Sequence, residues 1–278
     1  MTTPAERRAQ FRQLHESGCF VIPNFWDVGS AKMLQSLGFK AIASSSAGFA
    51  WTLGQMDNEV TLEAKLAHLA AVCAATDAPV NADFENGFAD APEAVAANVR
   101  LALQAGVAGL SIEDMIRNSE RALYDTPLAV ARIAAARAAC DAEGSGAVLV
   151  ARAEGVLTGG MTVPQAIDRA VALAEAGADC LFIPGLRAPD DIAAAVRAVA
   201  PKPLSVLMMT PGGTLAQFAD LGVRRISVGG SLARAAWGGF LTAAREIAEH
   251  GTFEALGGGA CGGEIKALLT SPTPIPPL

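Results

Sequence analysis

The chain has 278 residues, 51% of them hydrophobic, and a formal net charge of -7, with a mean hydropathy of +0.34. That is enough for a large core, and a length near 250 residues commonly fits one α/β barrel. The acidic balance, with no basic stripe, argues against a nucleic-acid partner, and no stretch approaches the roughly 18 apolar residues that a membrane span needs.

The first eight residues are polar and lead into a short helix-like segment without an apolar signal region, so a cytoplasmic, unsecreted protein is expected. The five cysteines (Cys19, Cys73, Cys140, Cys180, Cys261) are dispersed without paired spacing. This pattern reads as reduced thiols that act as small buried apolar residues.

Apolar runs at 20–23, 41–45, 80–84, 109–113, 147–152, 180–183, 204–208 and 225–228 read as strands. Helical patterns at 30–37, 62–76, 91–105, 127–142, 163–176, 190–199, 215–221 and 232–250 separate them. Glycines at 38, 106, 177 and 222 stop four of these helices just before the next strand. Eight strand–helix pairs are the pattern of a (β/α)8 TIM barrel, with a doubly wound open sheet as competitor; the count of eight favours closure. The barrel domain is read as 1–250. Beyond it, 251–278 form a glycine hinge, a short helix and a Pro-rich tail, either loosely packed or reaching a neighbouring subunit.

In such a barrel, reactive groups collect at the C-terminal ends of the strands. Asn81, Asp83 and Glu85 alternate along one strand and project to one face. Glu113 and Asp114 end the next strand, and Arg152 and Glu154 the one after. Two carboxylates about 4 Å apart repel by roughly 4 kcal/mol at an effective dielectric near 20. Asp83, Glu85 and Glu113 are therefore read as a site for Mg²⁺ or Mn²⁺, or else as an acidic rim paired with Arg152. His15, His68 and His250 fall in or beside helices, so neither a Ser-His-Asp triad nor a histidine metal cluster is expected. Ser44, Ser45 and Ser46 either aim donors at an anionic substrate or form a plain strand exit. Gly229, Gly230 and Ser231 make a phosphate-type helix start or a simple cap.

At these positions the chain resembles the isocitrate lyase/phosphoenolpyruvate mutase superfamily, over about 20–237. The likeness rests on Pro23-Asn24-Phe25-Trp26-Asp27, the serine loop leading to Asp57, Asp83-Phe84-Glu85-Asn86-Gly87, Ile112-Glu113-Asp114 and Ala151-Arg152-Ala153-Glu154. It implies a Mg²⁺-dependent enzyme that makes or breaks a C–C or P–C bond beside a 2-oxo acid. On that resemblance Asp83 binds the metal, Asp57, Glu85 and Glu113 act through its waters, and Arg152 stabilises an enolate oxygen. Ser45 and Ser46 hold the substrate carboxylate, Trp26 and Asp27 shape the pocket, and the last helix is exchanged within a tetramer or dimer of dimers. The family's usual second Asp is Glu85 here, a longer arm that bears on direct against water-mediated metal contact. Two further departures point away from isocitrate cleavage. The stretch 115–124, which carries Asn118, Ser119 and Tyr124, lacks the acid–base cysteine of those lyases. Strand six ends in Ile183-Pro184-Gly185 where those lyases place a glutamate. The phosphonomutase and oxaloacetate decarboxylase side is closer, and a 2-oxo acid-binding barrel with little turnover is the alternative.

Overall fold

Nine short parallel strands build the sheet: β1 Phe20–Ile22, β2 Asn24–Phe25, β3 Ile42–Ser44, β4 Val80–Asp83, β5 Gly109–Glu113, β6 Val148–Arg152, β7 Cys180–Phe182, β8 Leu204–Leu207 and β9 Arg225–Ser227. The computed structural model describes residues 2–117 and 120–270. The strand order is β1-β9-β8-β7-β6-β5-β4-β3-β2. Because β1 and β2 are consecutive in the chain, the two ends of this order meet, and the cylinder closes as a TIM-like barrel.

The expected first strand is thus one stave in two pieces. Pro23 has no N–H for the ladder, so β1 pairs with β9 and β2 with β3. The Pro23 carbonyl still accepts Ala43 N–H at 2.9 Å. Asn24 fastens the seam. Its Nδ2 donates to the Ser44 carbonyl and its Oδ1 accepts Val228 N–H, both at 3.0 Å.

Alternation along the strands sorts their side chains. Val80, Ala82, Leu110, Ile112, Leu149 and Ala151 face the surrounding helices. Ala43, Val148, Val150, Cys180 and Phe182 fill the barrel with Phe11, which the helix Pro4–Leu14 inserts from below. A Cβ at Gly109 would lie 2.6 Å from the Phe11 ring and 2.7 Å from the Val148 carbonyl, so only glycine fits there.

Two short helices, Ser46–Thr52 and Gly155–Thr158, follow β3 and β6 in stretches that carry no helical pattern in the sequence reading. The long helix Ser231–His250 lies largely in solvent, whereas Gly262–Thr270 returns to pack on helix Val28–Ser36. Ser36 Oγ donates to the Leu268 carbonyl at 2.6 Å. The Pro-rich stretch 271–278 lies outside the described residues, as do Asn118 and Ser119. No described helix is long and apolar enough to cross a membrane.

Candidate active site

Asp83, Glu113 and Arg152 end β4, β5 and β6, three neighbouring strands, with side chains on the inward set. Register sets Glu113 directly opposite Arg152. The Arg152 guanidinium reaches Asp83 at 2.7 Å, Glu113 at 3.2 Å and Glu154 at 2.7 Å, all nearly buried. Asp83 also accepts Ser46 N–H at 3.1 Å. Above this cluster opens a cavity of about 380 Å³, lined by Ser46, Asp57, Glu85, Glu113, Arg152 and Glu154.

Glu85 arrives there by a route that strand alternation does not describe. β4 ends at Asp83, and Glu85 has φ +45°, a left-handed conformation uncommon outside glycine. The turn aims its carboxylate into the cavity, where Oε2 lies 3.0 Å from Arg117 Nε. Arg117 also donates to the Val60 carbonyl, tying the loop after β5 over the mouth. Met115 and Leu123 form a bridge within that loop, and Met115 and Arg121 complete the wall.

The carboxylates outnumber the cations beside them, and burial governs their protonation. Burial raises Glu85 to about 7 against the opposing pull of Lys65 and Arg117. Burial also lifts Glu113 well above the carboxylate range, and Glu154 more modestly, although Arg152 pulls both down. Asp57, at the cavity mouth, is raised by desolvation and by Asp83. Asp83 alone goes the other way. Burial favours its proton, but Arg152, Lys65 and the Ser46 N–H together outweigh that and hold it below the usual value.

No group of three or more His, Cys, Asp or Glu side chains among the described residues is arranged as a ready metal cage. Arg152 occupies the centre instead. The donors nonetheless fit a hard cation in kind: they are all oxygens. Glu85 Oε2 is ion-paired with Arg117 at 3.0 Å but accepts no hydrogen bond among the described residues, and burial above all shifts Glu85, Glu113 and Glu154 toward their protonated forms.

Residues 11–248 match the phosphoenolpyruvate phosphomutase family. The chain belongs to that family. A Burkholderia cenocepacia structure described as a lyase/mutase candidate is 44% identical, with a TM-score of 0.92, covering 97% of this chain and 98% of its own. An uncharacterized Mycobacterium tuberculosis protein is 36% identical over 79% of this chain and 81% of its own. Oxaloacetate acetylhydrolase, solved with its product oxalate, is 26% identical with a TM-score of 0.85, covering 96% of this chain and 95% of its own. The phosphoenolpyruvate phosphomutase fold thus accommodates lyase-type chemistry on small oxo acids.

Not every residue singled out in the sequence reaches the cavity of this family member. Ser44 is fully buried, its Oγ accepting Asp83 N–H at 2.8 Å, so it braces the site from behind. Ser45 Oγ is committed to Gly48 N–H at 3.0 Å as a helix cap. Asp27 is exposed and caps helix Val28–Ser36 by accepting Ser30 N–H at 2.6 Å. Trp26 is half-buried against Gly48, outside the cavity wall. The Tyr124 hydroxyl is held by Asn86 and Asp90, away from the cavity. Asp114 is likewise a brace, accepting from Arg169 and from Glu154 N–H, both at 2.8 Å.

Cys73, Cys140 and Cys180 are buried thiols, each pushed up to about 11 by burial; Cys261 is exposed instead. His15 and His68 are packing residues with aromatic neighbours, both driven to about 3 by burial. Two participants were absent from the sequence-derived site: Arg117 and Lys65. Arg117 carries no local signal. Lys65 does, because it shares the buried stripe of helix Leu62–Ala75 with His68, Leu69 and Val72 at helical spacing.

Proposed function

We propose that this chain is a lyase or mutase that breaks or forms a C–C or P–C bond beside the oxo group of a small 2-oxo acid, with Mg²⁺ (or Mn²⁺) as cofactor. The observation that carries this reading is the Arg152 guanidinium, fixed by Asp83, Glu113 and Glu154 at the floor of the cavity. Cleavage beside an oxo group leaves an electron pair that spreads onto the oxo oxygen as an enolate. A guanidinium already oriented by three carboxylates meets that charge without reorganising, an effect worth about 3–4 kcal/mol for one well-placed donor.

A divalent cation, when bound, supplies further positive charge against the developing oxyanion; Asp83, Glu85, Glu113 and Asp57 are the residues that would hold it. Ser46 faces the cavity and is the serine available to the substrate carboxylate, since Ser44 and Ser45 are engaged elsewhere. The loop carrying Arg117 and Arg121 excludes water from the bond being broken. A second cavity of about 770 Å³ shares Leu157 with the first and is walled by Leu186, Met208, Met209 and Phe218. Arg187 and Arg234 also line this cavity. The exposed face of helix Ser231–His250 is read as the seat of a second copy, which makes the protein a homo-oligomer.

The test is incubation with oxaloacetate, phosphonopyruvate and 2-methylisocitrate in Mg²⁺, following pyruvate and oxalate. Turnover by the intact protein, abolished by chelator and in Asp83→Ala, is the expected result. Full activity of Asp83→Ala in excess chelator would remove the metal from this reading. A retained binding barrel is the second reading, favoured by the engaged Tyr124 hydroxyl and the thiol-free loop; tight oxaloacetate binding without product would establish it.

A further inference from the structure

Lys65 has no part in the chemistry proposed above, yet it sits directly behind the site. It is fully buried on helix Leu62–Ala75. Its Nζ donates to Ser44 Oγ at 3.4 Å, and the same oxygen accepts Asp83 N–H at 2.8 Å. Among the described residues no carboxylate lies within ion-pair distance of Nζ; burial pulls the ammonium below its ordinary value, and Asp83, Glu85 and Asp57 oppose that pull from across Ser44. Its neighbour His68 is stacked on Phe49 with ring centroids 3.9 Å apart, so the surroundings are otherwise apolar.

A buried ammonium is costly where an aliphatic side chain would pack freely, so something must offset it. The negative cavity on the far side of Ser44 is the available source. We infer that Lys65 is a resident counter-cation: through Ser44 it positions the end of β4, and its charge balances the carboxylate cluster before any divalent cation arrives. Lys65 is then a positioning residue rather than a catalytic one. A cation entering the cavity meets a cluster already partly neutralised, and it binds less tightly than it would above an apolar residue. This second consequence rests on the function proposed above; the balancing of charge does not.

The experiment compares intact protein with Lys65→Met and Lys65→Gln, reading melting temperature in chelator and Mn²⁺ affinity by calorimetry. Both variants should melt lower than the parent without metal and bind Mn²⁺ about tenfold more tightly, the scale of one charge felt at several ångströms in a medium of intermediate dielectric. Gln keeps a donor for Ser44, so parent-like behaviour of Lys65→Gln would reduce the role to a hydrogen bond and overturn the inference. Variants melting at or above the parent, with unchanged Mn²⁺ affinity, would also overturn it. If none of the three binds Mn²⁺, the cofactor reading falls, and the melting temperatures alone decide the counter-charge. Variants that fold only with Mn²⁺ support the inference; variants that fold under neither condition show Lys65 to be a packing residue and sink it.

Discussion

Glu85 holds its proton up to about pH 7 in the folded chain, against 4.5 as its ordinary value. Between those values the folded state binds more protons than the unfolded one, so stability falls as pH rises through this window. The contribution is on the order of 3 kcal/mol, present in full below pH 4.5 and lost by about pH 7. Denaturant unfolding of the metal-free protein at pH 5 and 7.5 should show this slope, and Glu85→Gln should flatten it. Arg152 gives the opposite test. Removing it as Arg152→Met strands Asp83, Glu113 and Glu154, and should cost about 3–5 kcal/mol at neutral pH and less in acid. Both carboxylates of the Asp83–Glu85 run were legible from spacing. The left-handed turn that brings Glu85 inward was not, because nothing in its neighbours demands φ +45°.

Elements were read more securely than residues. The barrel's eight strands and their helices announce themselves by apolar runs and stripes, with glycine at the stop of four helices. Serine-rich exits were the exception. Ser46–Thr52 is a seven-residue helix whose cap, Ser45, spends its hydroxyl on Gly48 N–H. Local capping therefore took two residues that had been assigned to substrate, Ser45 here and Asp27 one loop earlier, since Asp and Ser before an apolar run serve either purpose. Asn24 shows the reverse: a polar residue noted only as part of the Pro23–Asp27 stretch carries the barrel seam. Asn24→Ala leaves the Ser44 carbonyl and Val228 N–H without their partner. It should destabilise the fold by about 2–4 kcal/mol in denaturant titration, with the melting transition broadened if the seam opens first.

For the whole molecule, one element carries more exposed large apolar side chains than any other among the described residues. Trp237, Phe240, Leu241 and Ile247 lie along helix Ser231–His250, and Phe240 is 59% exposed. A solvated face of this kind marks an interaction surface. Sedimentation should show an assembly larger than the 28.4 kDa chain, and Phe240→Glu should shift it toward the monomer. A parent that sediments as a monomer at all concentrations would remove the second copy.

The sequence by itself determined a parallel sheet wrapped by helices, because its apolar runs must be buried on both faces, and the count of eight favoured a closed barrel over a doubly wound open sheet. It also determined which strand ends carry acids and the arginine, since barrel chemistry is confined to one rim. Only the tertiary structure decided which of those groups share a cavity. The Arg152 clamp, the Arg117 tie and the buried Lys65 depend on pairs of side chains from 21 (Ser44 to Lys65) to 69 (Asp83 to Arg152) positions apart in sequence meeting in space, and pairwise electrostatics between such groups leaves no periodic trace along the chain.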